Sequence, residues 1–128
     1  MVIAGLVFAA LAALLHVYIF TMESLTWTSP RTRKAFGTTV EEAETTKLLA
    51  LNQGFYNLFL AVGVLVGVLL QLSNNAPTVA AGVGMVLLGT GSMVGAALVL
   101  LVTKPALLRG AAIQGVAPLL AIVSVLIF

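Results

Sequence analysis

The chain has 128 residues, of which 61% are hydrophobic and 8% charged, and its mean hydropathy is +1.18. Soluble domains carry about 25% charged residues, so these values exclude an ordinary water-soluble globule. Cysteine is absent, which excludes disulfides and thiolate metal sites. The net charge of +2 is too small to argue for nucleic acid.

Four apolar runs span residues 2–25, 48–72, 78–102 and 106–128. Each is long enough for a bilayer core that needs about 20 helical residues. The expected architecture is therefore an all-α membrane protein, a single four-transmembrane-helix bundle over residues 1–128. Its helices are expected at about 2–26, 40–72, 77–102 and 105–128, with lengths read against the bilayer thickness.

The first run lacks a basic start and exceeds the apolar core of a secretory signal peptide, roughly 7–15 residues. It is expected to be a retained helix, ended by Trp27 and a Thr28-Ser29-Pro30 turn. Within it, His16, Phe20, Glu23 and Trp27 follow an i, i+4, i+7, i+11 pattern and share one helix face. In the next connection, Thr39 followed by Glu42 reads as a capping box, with Glu41, Glu42 and Glu44 at the positive end of a helix. The second run contains Asn52, Gln53, Tyr56 and Asn57, a broad polar face in otherwise apolar sequence.

The third and fourth runs are poorer in polar side chains. Gly63 and Gly67 in the second run and Gly91 and Gly95 in the third form small-xxx-small pairs, and Gly82, Gly84 and Gly89 add to them. Such residues let helices approach closely where lipid supplies no hydrophobic drive. They serve packing within one bundle or, as the alternative, a homodimer. In the fourth run Gln114 is the main polar residue, and Pro118 is expected to bend the helix.

All six Lys and Arg side chains fall in or beside the first and third connections: Arg31, Arg33, Lys34, Lys47, Lys104 and Arg109. The middle connection carries none. By the positive-inside rule the basic connections are cytoplasmic and both termini lie on the non-cytoplasmic side. Counting from the basic ends at 1.5 Å per residue puts His16, Tyr56, Asn57 and Gln114 at a similar depth of about 12–14 Å. Asn52 lies nearer the surface, and Glu23, Trp27, Lys47 and Arg109 form a shallower layer.

A polar group without partners in hydrocarbon costs several kcal/mol, on the order of 2–7, so these side chains need partners. If the faces meet, His16 can bond to Tyr56 or an amide, and Glu23 can reach Lys47, Arg109 or the Trp27 indole. A ligand-binding set of His16, Glu23, Trp27, Asn52, Gln53, Tyr56, Asn57 and Gln114 follows, with His16 and Glu23 as candidates for proton transfer. No metal and no cofactor are expected. A bis-histidine haem needs two His where the chain has one, and a zinc site needs three or four ligands. No nucleophilic serine or phosphate loop accompanies His16.

The string His16-Val-Tyr-Ile-Phe-Thr-Met-Glu23, then Trp27, Pro30, Arg33-Lys34, Phe36-Gly37 and Asn52-Gln53-Gly54-Phe55-Tyr56-Asn57, resembles a bacterial family of small four-helix membrane proteins. The family is a domain of unknown function, number thirteen hundred and four. The resemblance covers nearly the full chain. It implies a bacterial inner-membrane location, with this polar set as the signature, and it implies no activity. Small multidrug-resistance exporters also pair four-helix chains around a first-helix Glu, but Glu23 lies near the helix end rather than mid-membrane. Sterol isomerases of the emopamil-binding type share the residue types, not the helix number.

Four functions fit these features. The leading one is binding of a small amphipathic molecule or a lipid in the cytoplasmic half of the bundle. The others are a proton-coupled dimeric transporter, a membrane isomerase using His16 and Glu23, and an accessory subunit whose polar network is purely structural.

Overall fold

The computed structural model describes residues 3–128. Four helices are long and apolar enough to cross a membrane, and among the described residues there is no strand. Helix α1 (Ile3–Phe20) runs on into a π-helical turn, Thr21–Leu25. A short helix α2 (Pro30–Phe36) follows, then α3 (Val40–Leu70) and α4 (Ala76–Thr103). A 3-10 turn, Pro105–Leu107, leads into α5 (Leu108–Ile127).

The long helices alternate in direction. α1 packs on α3, α3 on α4 and α4 on α5, and α5 closes the ring against α1. Diagonal contact between α1 and α4 is slight. This is an up-down four-helix ring with short connections.

The core is built from small side chains: Ala9, Ala12, Ala13, Ala61, Val64, Val86, Met93 and Ala121 are buried together. Large apolar side chains such as Ile3, Leu88 and Leu69 point outward. A soluble bundle buries its Leu and Phe; here small residues are inside and bulky ones outside, the distribution expected when the surroundings are as apolar as the core. α3 and α4 approach closely through glycines. A Cβ on Gly67 would lie 2.9 Å from the Gly82 carbonyl oxygen, and one on Gly82 would lie 2.6 Å from that of Gly67. Gly63, Gly84, Gly91 and Gly95 face open space instead. The glycines thus divide into a packing set and an outward set. α5 continues through the buried Pro118 as one helix.

Local signals explain the element ends. Thr39 and Glu42 form a complete capping box at the start of α3, with Glu42 accepting from the Thr39 N–H at 2.9 Å and Thr39 from the Glu42 N–H at 3.1 Å. α4 starts on Asn75, whose side chain accepts from the Thr78 N–H at 3.0 Å. The connection after α1 contains the helix α2 and not only a turn. Ser29 caps it, Pro30 fits its first turn where no backbone donor is needed, and Gly37 ends it at φ +68. α1, α2, α3, α4 and α5 all present an end in this region. Every Lys, Arg and Glu of the chain lies at this end of the bundle.

Candidate functional site

The π-helical turn is the local device that builds the site. Its backbone hydrogen bond runs from the Thr26 N–H to the Thr21 carbonyl, 3.1 Å over five residues. Widening the helix by this one turn breaks the 3.6-residue phase set by α1. π-turns of this kind recur at functional sites. Here the turn buries Glu23 against α3 while Met22 lines a different part of the surface.

Two interactions lock the turn onto α3. Ser24 Oγ donates to the Leu51 carbonyl at 2.8 Å. Asn57 Nδ2 donates to Glu23 Oε1 and also reaches the Gln53 carbonyl at 3.3 Å. Gly54 makes this approach sterically feasible, because a Cβ there would run into Ser24, including its backbone nitrogen at 3.0 Å. The glycine inside the polar string is therefore a contact residue.

Beyond Glu23 the chain opens a cleft of about 440 Å³ between the π-turn and the start of α3. Its polar walls come from Glu23, Ser24, Glu44 and Lys47, and its apolar walls from Trp27, Leu48 and Leu51. The Trp27 indole is held in place from two sides. Its Nε1 donates to Thr46 Oγ1 at 3.1 Å, and Thr46 Oγ1 donates in turn to the Glu42 carbonyl at 2.6 Å. Its ring meets Phe36 edge to face with centroids 5.0 Å apart. A rigid aromatic wall, two carboxylates and one ammonium group around a half-open space can hold an amphipathic molecule by hydrogen bonds and ring contact.

The other residues singled out by sequence are distributed differently. His16 is almost wholly buried and its Nδ1 donates to the Ala12 carbonyl of its own helix at 2.8 Å. In the neutral ring that bond leaves the lone pair on Nε2. His16 bonds neither Tyr56 nor an amide, and it does not line the Glu23 cleft. Asn52, Gln53 and Tyr56 lie exposed on the outside of α3, with Tyr56 63% exposed. Gln114 lines a separate groove together with Tyr18, Met22 and Phe36. The structure thus brings together Glu23, Trp27 and Asn57, and leaves His16, the outer amides and Gln114 apart.

Ser24, Glu44, Thr46 and Gly54 join the site without having been singled out for it. Gly54 carried the one readable signal, a small residue inside a polar string. Among the described residues, no group of three or more His, Asp or Glu side chains could hold a metal ion.

Fold and site define a class: a ring of four apolar helices with a polar cleft at its charged end, built on a π-turn. Residues 10–126 match the family described as "Protein of unknown function (DUF1304)", and the chain belongs to that family. No curated protein and no solved structure matches the chain.

Proposed function

We propose that this is a multi-pass protein of the bacterial cytoplasmic membrane that binds a small amphipathic molecule in the Glu23 cleft, at the cytoplasmic end. The orientation is supported by the placement of all six cations at one end of the bundle. The observation that carries the binding reading is the buried Glu23 carboxylate, held by a single amide at the wall of an open cleft. Ionisable side chains inside membrane bundles usually face an interior or a water-filled cavity and mark function. The cleft volume of about 440 Å³ falls in the range of small-molecule sites, roughly 300–1,000 Å³.

Trp27 is the chain's single tryptophan and stands in the cleft wall, so its emission reports occupancy directly. A panel of amphipathic amines and acids titrated into detergent-solubilised protein should include members that shift or quench that emission. Glu23→Gln should weaken binding of an amine at least tenfold, since hydrogen bonds to charged groups are worth about 1.5–3 kcal/mol. A panel without effect, or affinities indifferent to both Glu23→Gln and Lys47→Gln, would sink the reading.

A second reading draws on α3. Asn52, Gln53 and Tyr56 are exposed on a helix long and apolar enough to cross a membrane, and amides facing lipid lack partners. That face suits a helix of another subunit, either a second copy or a larger complex for which this chain is accessory. Loss of a co-purifying partner on Asn52→Leu with Gln53→Leu would support it. Isomerisation through a His16–Glu23 pair receives no such support, because His16 stands outside the cleft.

A further inference from the structure

A second, chemically distinct cavity lies on the other side of the π-turn. It is a groove of about 220 Å³ between α1, α4 and α5, roofed by α2 and lined chiefly by Leu15, Ile19, Met22, Phe36, Leu100 and Ile113. At this volume it is below the roughly 300 Å³ lower bound of ordinary ligand pockets. Its mostly apolar lining suits part of a hydrocarbon chain.

The charge around the groove is one-sided. Arg31, Arg33 and Lys34 lie on α2, Lys104 ends α4 and Arg109 opens α5, whereas all four carboxylates lie on the π-turn or on α3. Lys34 precedes the lining residue Ala35, Arg109 precedes the lining residue Gly110, and Lys104 Nζ donates to the Phe36 carbonyl at 3.3 Å. Lys34, Lys104 and Arg109 are all exposed. On α2, Ala35 and Phe36 line the groove and Arg31 and Lys34 are exposed.

We propose that this groove is a binding site for an anionic phospholipid, with one acyl chain under α2 and the phosphate held by Lys104 and Arg109. Basic pockets between helices at a cytoplasmic surface take anionic head groups, and the apolar groove supplies the chain subsite that a free phosphate would not use. The proposal rests on the membrane reading above and not on the Glu23 cleft.

The test uses Trp27, whose ring touches Phe36 and so sits one residue from the proposed acyl chain. Detergent-solubilised full-length protein is titrated with phosphatidylglycerol brominated mid-chain, and in parallel with phosphatidylcholine brominated at the same carbons. Phosphatidylglycerol should quench Trp27 at the lower concentration. Lys104→Gln and Arg109→Gln should raise its midpoint by roughly fivefold for each charge removed. Gly110→Leu tests the groove: Gly110 lines it and a Cβ there meets no atom within 4 Å, so the bundle tolerates a bulky side chain beside the chain subsite. That variant should lose the selective quenching with its helical circular dichroism unchanged.

Equal midpoints for the two lipids, or quenching indifferent to the charge variants or to Gly110→Leu, would overturn the proposal. Release of quenching by glycerol phosphate at the lipid's own midpoint concentration would also overturn it, since the chain subsite would then add nothing. Failure of the Glu23 cleft reading stays distinguishable, because amphiphile binding is read with the Glu23 and Lys47 variants and lipid selectivity with the Lys104, Arg109 and Gly110 variants. Protein that remains dispersed without detergent would instead count against the membrane reading.

Discussion

Met22 and Glu23 are neighbours in sequence, yet one lines an apolar groove and the other a polar cleft. The two cavities share the π-turn as a wall and differ in how they are held. The Glu23 cleft is fixed by three side-chain bonds to α3: Ser24 to Leu51, Asn57 to Glu23, and Trp27 to Thr46. The groove has a roof of seven residues, tied to the α4–α5 connection by the Lys104 bond to the Phe36 carbonyl and to the segment after the π-turn by Thr26–Thr32 at 3.0 Å, Arg33–Thr28 at 3.3 Å and the Phe36 ring on Trp27. The cleft is walled by polar groups fixed on a 31-residue helix and the groove by apolar side chains under a seven-residue one, which suits a directional polar ligand in the first and an apolar chain in the second. The difference originates in a single widened turn. Each mutation below bears on one side of that contrast.

The largest effect is expected at Gly54. A leucine there would place its Cβ 3.0 Å from the Ser24 backbone nitrogen, so the π-turn and α3 must separate. Overpacking against backbone belongs at the upper end of its usual range, about 3 kcal/mol. Denaturant unfolding in mixed micelles, followed by circular dichroism, should show that loss, together with red-shifted Trp27 emission. Gly54→Leu protein of unchanged stability would mean that the cleft is not held by this contact.

Asn57→Leu comes next. It removes the donor to Glu23 Oε1 and leaves a buried carboxylate without its amide, at a cost of about 2 kcal/mol. Glu23→Gln keeps an acceptor for Asn57 and should cost less. In the double variant, Glu23→Leu with Asn57→Leu, the loss should be smaller than the sum of the single losses, since the pair fails as a unit. Additive losses in that cycle would deny the coupling between π-turn and α3.

How much of this was readable from the chain follows from the same physics. The four long helices were legible because crossing lipid demands about 20 apolar residues in a row, and the Thr39–Glu42 box marked the start of α3. Helix α2 carried its own signals, Ser29, Pro30 and Gly37, but seven residues are too few to show periodicity inside a polar connection. Glu23 and Trp27 stood out as polar groups in apolar sequence. Asn57, the partner of Glu23, stood out with them, but the pairing did not, because spacing rules assume 3.6 residues per turn and the π-turn breaks that assumption.

The rotation of α3 is the instructive difference. Asn52, Gln53 and Tyr56 suggest an inward face by polarity, yet Ala43, Ala50, Gly54, Ala61, Val64 and Gly67, all Ala or Gly but one, are the residues that are buried. Those positions form a small-residue stripe. In a bundle whose surroundings are as apolar as its core, size marks the inner face and polarity marks it only where a partner waits.

The smallest of the three effects tests the α2 side. Ser29 caps α2 by accepting from the Thr32 N–H at 3.3 Å, and its hydroxyl also donates to Thr32 Oγ1 at 3.1 Å. Ser29→Ala should weaken α2 by about 1 kcal/mol. Since α2 is only the roof of the groove, the loss should be local, a faster hydrogen exchange of the α2 amides with the unfolding midpoint of the bundle little changed. The Trp27–Thr46 bond should hold the polar cleft in place, so an amphiphile that quenches Trp27 from the Glu23 side should bind as before. If Ser29→Ala lowers that affinity as much as it speeds exchange in α2, the two cavities are one mechanical unit. The contrast drawn from the π-turn would then have to be given up.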